Sequence, residues 1–172
     1  MTVLERPEAV TLRGKPFTLL GRELQPGEAA PEFTLVGAGL VSVSLNESAG
    51  TVRLISCVPS LDTPVCSLET KRWEERRAEL GDLTMLTVSM DLPFAQSRWC
   101  AANGVTHQML SSHQNRQFAV DYGVLIKELR LLDRAIFVLD RDGTIRHVEY
   151  VREVSSEPDY ERAVAAIMAL QA

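Results

Sequence analysis

The stretch from Thr51 to Ala102 constrains the fold most. It opens with an apolar run, Thr51 to Val58, which breaks at Pro59 and gives way to a charged amphipathic segment, Ser67 to Leu80. A run this short and this apolar reads as a buried strand, Val52 to Cys57, and the longer segment after it as a helix, Cys66 to Leu80. The pattern then repeats: Leu83 to Met90 predicts a strand and Phe94 to Ala102 a short helix. Upstream, Val10 to Leu12 and Phe17 to Leu20 flank Arg13-Gly14-Lys15 and read as a hairpin, and Pro31 to Val36 and Leu40 to Leu45 as two further extended pieces. Downstream, Thr106 to Leu110 reads as an extended segment and Asn115 to Tyr122 as a helical turn. Arg134 to Asp140 and Thr144 to Val151 are strands joined through Arg141-Asp142-Gly143, whose Asp-Gly pair signals a hairpin. A last helix is predicted from Pro158 to Leu170, with Tyr160, Val164, Ile167 and Met168 as its apolar stripe.

Strand, helix, strand, helix, antiparallel hairpin and closing helix is the order of an α/β, thioredoxin-like fold, with a central mixed sheet flanked by helices and preceded by an N-terminal β-hairpin. No linker, repeat or low-complexity stretch divides the 172 residues, so a single domain over 1–172 is expected. Acidic residues outnumber basic ones 23 to 18, and the basic ones are scattered along the sequence, which disfavours nucleic acid. No segment is long and apolar enough to span a bilayer, and the N-terminus lacks the apolar core of a secretory signal. A cytoplasmic protein is expected, with no membrane partner.

Three cysteines, Cys57, Cys66 and Cys100, are too few for a disulfide-stapled scaffold. Their spacing to His107, His113 and His147 matches no zinc pattern, so neither a metal nor a cofactor is expected. Cys66 is the residue to which chemistry points. With Thr63 as N-cap and Pro64 in the first helical position, Cys66 falls third, where free backbone N–H groups favour an anion. A thiol so placed is a candidate nucleophile, although Asp62 beside it acts the other way. A sulfenic acid formed there needs a second thiol, and Cys100 or Cys57 must supply it if the chain resolves itself. Taken alone, Cys100 beside Trp99 reads as packing, and Cys57, at the end of a strand, as core. A ring of about 35 residues closed by Cys66 and Cys100 would stabilise the oxidised chain by roughly 4 kcal/mol in the chain-entropy model. Arg134 reads either as a surface arginine paired with Asp133 or as a guanidinium that holds a thiolate and orients an oxyanion. No histidine pairs with a cysteine by pattern, so a protease-type mechanism has no visible base.

Pro59-Ser60-Leu61-Asp62-Thr63-Pro64-Val65-Cys66 resembles the P-x-x-x-T-x-x-C signature of the peroxiredoxins. Together with Asp91-Leu92-Pro93-Phe94-Ala95-Gln96-Ser97-Arg98-Trp99-Cys100, it is similar to the thiol peroxidase subfamily of atypical two-cysteine type, and the likeness runs from about Phe17 to Ala169. The resemblance implies a thioredoxin-fold peroxidase acting on hydrogen peroxide and organic hydroperoxides, recycled by thioredoxin and assembled as a homodimer. It also implies that Cys66 is peroxidatic and Cys100 resolving, joined by an intramolecular disulfide during turnover. Thr63 would hydrogen-bond the sulfur and the peroxide, Pro59 would shield the pocket, and Arg134 would stabilise the thiolate. Trp99 stands where the family commonly has phenylalanine, and Cys57 where an apolar residue without a thiol is usual. A thiol-disulfide oxidoreductase, which usually presents C-x-x-C, and a non-enzymatic peroxide sensor are the alternatives.

Overall fold

A computed structural model describes residues 2–172. The chain opens with the expected hairpin, β1 (Glu5–Leu12) and β2 (Lys15–Leu20). Arg13 and Gly14 both have positive φ, 51° and 79°, the backbone of a two-residue turn whose twist suits a hairpin. The short strands β3 (Thr34–Val36) and β4 (Ser42–Ser44) follow. The predicted alternation then appears as β5 (Val52–Cys57), α1 (Pro64–Arg76), β6 (Leu83–Ser89) and α2 (Pro93–Asn103). The helix α1 starts at Pro64, as the Thr63 cap and the proline predict, two residues before the Cys66 at which the amphipathic pattern begins. Its predicted last turn, through Leu80, instead closes with three-residue bonds, Glu79 N–H to Arg76 O at 3.0 Å and Leu80 N–H to Arg77 O at 3.3 Å.

After β7 (Gln108–Ser111) and α3 (Arg116–Asp121) come two strands that the sequence pattern did not signal, β8 (Leu125–Ile126) and β9 (Leu131–Leu132). Two residues are too few to display an alternation. They pair with each other and extend β2, so the hairpin becomes one side of a four-stranded sheet, β1-β2-β8-β9. The chain ends with β10 (Ala135–Leu139), β11 (Ile145–Tyr150) and α4 (Tyr160–Gln171). In the β10–β11 loop the Gly143 N–H donates to Asp140 O at 3.1 Å, so Arg141 and Asp142 are the central turn residues. Gly143 follows them with φ +86°, and the register shifts farther along, between the Leu139–Ile145 and Val138–His147 pairs.

The main sheet has seven strands in the order β11-β10-β5-β6-β7-β3-β4. It is mixed: β5, β6 and β7 run parallel, while β10 joins β5 antiparallel. Every residue of β5 is buried, as a central strand covered on both faces requires. Successive side chains therefore enter opposite layers. Leu54 packs with Trp73, Tyr160, Ala163 and Ile167 under α1 and α4, whereas Ile55 and Cys57 pack with Phe118, Tyr122 and Phe137 on the other side. The buried stripe of α4 is Tyr160, Ala163 and Ile167, with Val164 half-buried beside them; Met168, predicted inside, is 51% exposed. No helix among the described residues is long and apolar enough to cross a membrane.

Candidate active site

Strand β5 delivers the chain at Cys57, and residues 58–63 turn it into α1. Thr63 is the N-cap with extended backbone, and Pro64 takes the first helical position, which places Cys66 third. The first intrahelical bond is Ser67 N–H to Thr63 O, at 2.9 Å, so the Val65 and Cys66 N–H groups have no acceptor within the helix. The loop is held from below by Asp91, whose carboxylate accepts from Ser60 Oγ (2.7 Å), Leu61 N–H (2.8 Å) and Ser89 Oγ (2.7 Å). Pro59 is buried beneath the turn. The Thr63 hydroxyl donates to Ser60 O at 2.8 Å and not to the sulfur. Its proton is thereby committed, and its oxygen is free only to accept.

Cys66 is fully buried, and Arg134, itself 1% exposed, donates from Nη2 to its Sγ at 3.3 Å. Arg134 is neither a surface residue nor a partner of Asp133. Its Nη1 donates to Glu69 Oε2 at 2.5 Å, while Nε and Nη2 donate to the Val154 carbonyl at 3.1 and 2.8 Å. Glu69 in turn accepts from Ser56 Oγ at 2.8 Å and Trp73 Nε1 at 3.4 Å. Burial pushes the Glu69 carboxyl up, and the Arg134 charge opposes that rise. Arg134 stays cationic, because Glu69 and Cys66 outweigh the cost of taking its charge out of water. The two strand ends and one helix thus fix a guanidinium against the sulfur with little rotational freedom left.

Glu69, Ser56, Val154 and Asp91 were not identified from the sequence as site residues. Glu69 had a readable signal: with Cys66, Thr70 and Trp73 it lies at i, i+3, i+4 and i+7, one face of the helix, and all four are buried. A charged residue on that face requires a buried partner. Asp62, expected to act against the thiol, is exposed, and its N–H donates to Ser60 Oγ at 3.2 Å.

The layers of the fold place the other two thiols differently with respect to Cys66. Cys57 enters the layer opposite the one in which Ser56 meets Glu69, and it packs with Phe137, Leu125 and Ala135. Burial, then the neighbouring Asp133 and Glu69, push its thiol well up. Cys66 belongs to a cluster with Val58, Leu61, Trp99, Val105 and Met109, and Cys100 packs against that cluster. It is half-buried on α2 and lines a cleft of about 650 Å³ together with Arg77, Gln96, Thr106 and His107. Burial, with the Glu74 charge, pushes its thiol up as well. All three cysteines are free thiols. His107 is fixed between Glu74 (2.5 Å from Nδ1) and Thr87 (2.9 Å from Nε2), so both its ring nitrogens are occupied.

Comparison with known proteins agrees with this geometry. The Redoxin family model matches residues 25–164. A thiol peroxidase of Halalkalibacterium halodurans is 48% identical over 94% of this chain and 98% of its own length. One of Bacillus subtilis is 46% identical over 94% and 97%. Among solved structures, a peroxiredoxin-like protein from Aquifex aeolicus superposes with a TM-score of 0.89 at 37% identity, covering 99% of both chains. The chain belongs to the Redoxin family and, within it, to the thiol peroxidases.

Proposed function

We propose that the protein is a thiol-dependent peroxidase in which Cys66 is the peroxidatic and Cys100 the resolving cysteine, with Thr63, Arg134 and Pro59 completing the site. The carrying observation is the contact of Arg134 Nη2 with Cys66 Sγ, 3.3 Å, between two buried side chains. The Cys66 thiolate attacks one oxygen of a hydroperoxide; the S–O bond forms, the O–O bond breaks, and the leaving oxygen departs as water or an alcohol after taking a proton. Negative charge spreads over both oxygens in the transition state. The Val65 and Cys66 N–H groups and the Arg134 guanidinium are fixed donors beside it, which is the electrostatic route to acceleration. The Thr63 oxygen, able only to accept, suits the O–H of the incoming hydroperoxide and so orients the substrate.

Cys100 then condenses with the sulfenic acid, releasing water and forming an intramolecular disulfide. In this reading α2 is the helix that moves, and the way the two helices are held supports it. Four residues of α1 are buried, and Glu69 ties it to Arg134. In α2, Phe94 is 66% exposed, and only Pro93, Gln96 and Trp99 are buried. Loosening of α2 therefore brings Cys100 to a nearly stationary Cys66. A dithiol reductant, thioredoxin in our reading, restores both thiols. We further read the chain as one domain, since β8 and β9 couple the N-terminal hairpin to the segment that leads into Arg134. Cytoplasmic location and a homodimer complete the proposal.

The test is peroxide consumption coupled to thioredoxin, thioredoxin reductase and NADPH, comparing hydrogen, cumene and tert-butyl hydroperoxides. Turnover should vanish in Cys66→Ser, and mass spectrometry should find sulfenic or sulfinic acid on Cys66 in Cys100→Ser. Full activity in Cys66→Ser refutes the assignment. The full burial of Cys66 disfavours the disulfide-oxidoreductase alternative, whose attacking sulfur must reach a partner protein.

A further inference from the structure

Three of the basic residues that are scattered in sequence, Arg116, Lys127 and Arg130, meet at one place in the fold. A second cleft, of about 470 Å³, is lined by Arg116, Lys127, Arg130 and His113, together with Ser112, Met90 and Leu125. Arg116 opens α3, and Lys127 and Arg130 stand at the two ends of the turn between β8 and β9. In a chain with a formal charge of −5, such a concentration of cations in one concavity is not the solvated mixture of signs found elsewhere on the surface. Lys127 is paired with Glu5, its Nζ lying 2.7 and 2.8 Å from the two carboxylate oxygens. Neither Arg116 nor Arg130 has a carboxylate partner among the described residues. Arg130 also holds a left-handed backbone, φ 55°, which a residue with a Cβ adopts at a cost, and its N–H is fixed on Ile126 O at 2.8 Å. His113 Nδ1 is held by Ser111 Oγ at 2.8 Å, which leaves Nε2 as the free ring nitrogen.

We propose that this cleft binds a diphosphate group. Two guanidinium forks without carboxylate partners match tetrahedral oxyanions in two-bond geometry, and the free Nε2 of His113 adds a further polar contact. The volume accommodates more than one phosphate, and the apolar wall of Met90 and Leu125 suits the remainder of a ligand that carries them. The site is distinct from the peroxidatic one: Leu125 and Met90 belong to the layer that also contains Cys57, on the face of the sheet away from α1. The two are nonetheless adjacent along the chain, since Met90 immediately precedes Asp91, the residue that tethers Ser60 and Leu61.

Isothermal titration at low ionic strength with inorganic pyrophosphate, ADP and orthophosphate tests the proposal on the reduced full-length protein. Pyrophosphate should bind saturably, at least about tenfold more tightly than orthophosphate, and Arg116→Ala/Arg130→Ala should weaken it by at least another tenfold or so. Peroxide turnover without added anion should be the same in that variant. Arg130→Gly suits the left-handed backbone, so a loss of affinity there reports the missing guanidinium and not a damaged fold. ADP binding more tightly than pyrophosphate assigns the group to a nucleotide, and the reverse assigns it to a free inorganic diphosphate. No saturation, equal affinity for orthophosphate, or unchanged affinity in either variant overturns it.

Discussion

Asp133 offers the sharpest test of how this core is built. It is fully buried, both its carboxylate oxygens lack hydrogen-bond partners, and burial pushes its pKa from 3.8 up to about 8 despite the nearby Arg134 and Arg6 charges. Between about pH 4 and about 8 the folded protein therefore retains a proton that the unfolded chain has lost. The unfolded state binds fewer protons there, so stability declines as pH rises through that window, by about 1.4 kcal/mol per pH unit, and levels off above it. From pH 5 to pH 8 the loss amounts to about 4 kcal/mol, an upper figure because a buried site relaxes. Asp133→Asn keeps the shape and one neutral amide but removes the titration. Urea denaturation of both proteins at several pH values, with thiols kept reduced, should give similar stabilities at pH 5 and a variant that is more stable by roughly 2 to 4 kcal/mol at pH 8. Glu69, also pushed up by burial, is common to both proteins and cancels in the difference. Parallel stability curves would mean that Asp133 is ionised and solvated in the native state, and the reasoning fails.

Three further outcomes are expected. Removing the guanidinium in Arg134→Met should lower kcat/KM for hydrogen peroxide by about 100-fold, the scale of one transition-state donor, while Arg134→Lys recovers part of it; stopped-flow rates that are unchanged would detach Arg134 from the chemistry. Replacing the opposite-layer thiol in Cys57→Val should cost less than about 1.5 kcal/mol and leave peroxide turnover intact, with the oxidised variant still losing two hydrogens by mass. Persistent sulfenic acid in that variant would make Cys57 the resolving residue. Gln96 anchors α2 by donating to Ser89 Oγ at 3.0 Å and Leu110 O at 2.9 Å, so Gln96→Ala should speed disulfide formation after a peroxide pulse, followed through the fluorescence of Trp99. A slower step there would mean that intact α2, and not its loosening, presents Cys100.

The elements around the Cys66 loop were legible because their signals are local. The apolar run of β5 matches its observed span, and the Thr63-Pro64 start of α1 follows from what a helix N-terminus needs from side chains and φ. The hairpin turn at Arg13-Gly14 was equally local. Strands β8 and β9 were not, since two-residue strands have no period of their own and exist only because β2 offers them an edge. Met168 was misplaced for a related reason: a helical stripe read from sequence has the right width but not its centre, which packing against Trp73 and Ile136 decides.

By itself the sequence determined which sulfur stands at a helix start, which turn feeds it and the order of strands and helices around it, because these depend on residues close along the chain. Tertiary structure alone decided the rest of the site. It brought Arg134 and Val154 from the far end of the chain to Cys66 and enlisted Glu69 to hold the guanidinium. It also separated Cys57 from Cys66 by a sheet while leaving Cys100 in the same apolar cluster. The reason is physical: side chains on a strand alternate between layers, so two thiols at neighbouring elements can face apart, and only the packed sheet establishes which face each one has taken.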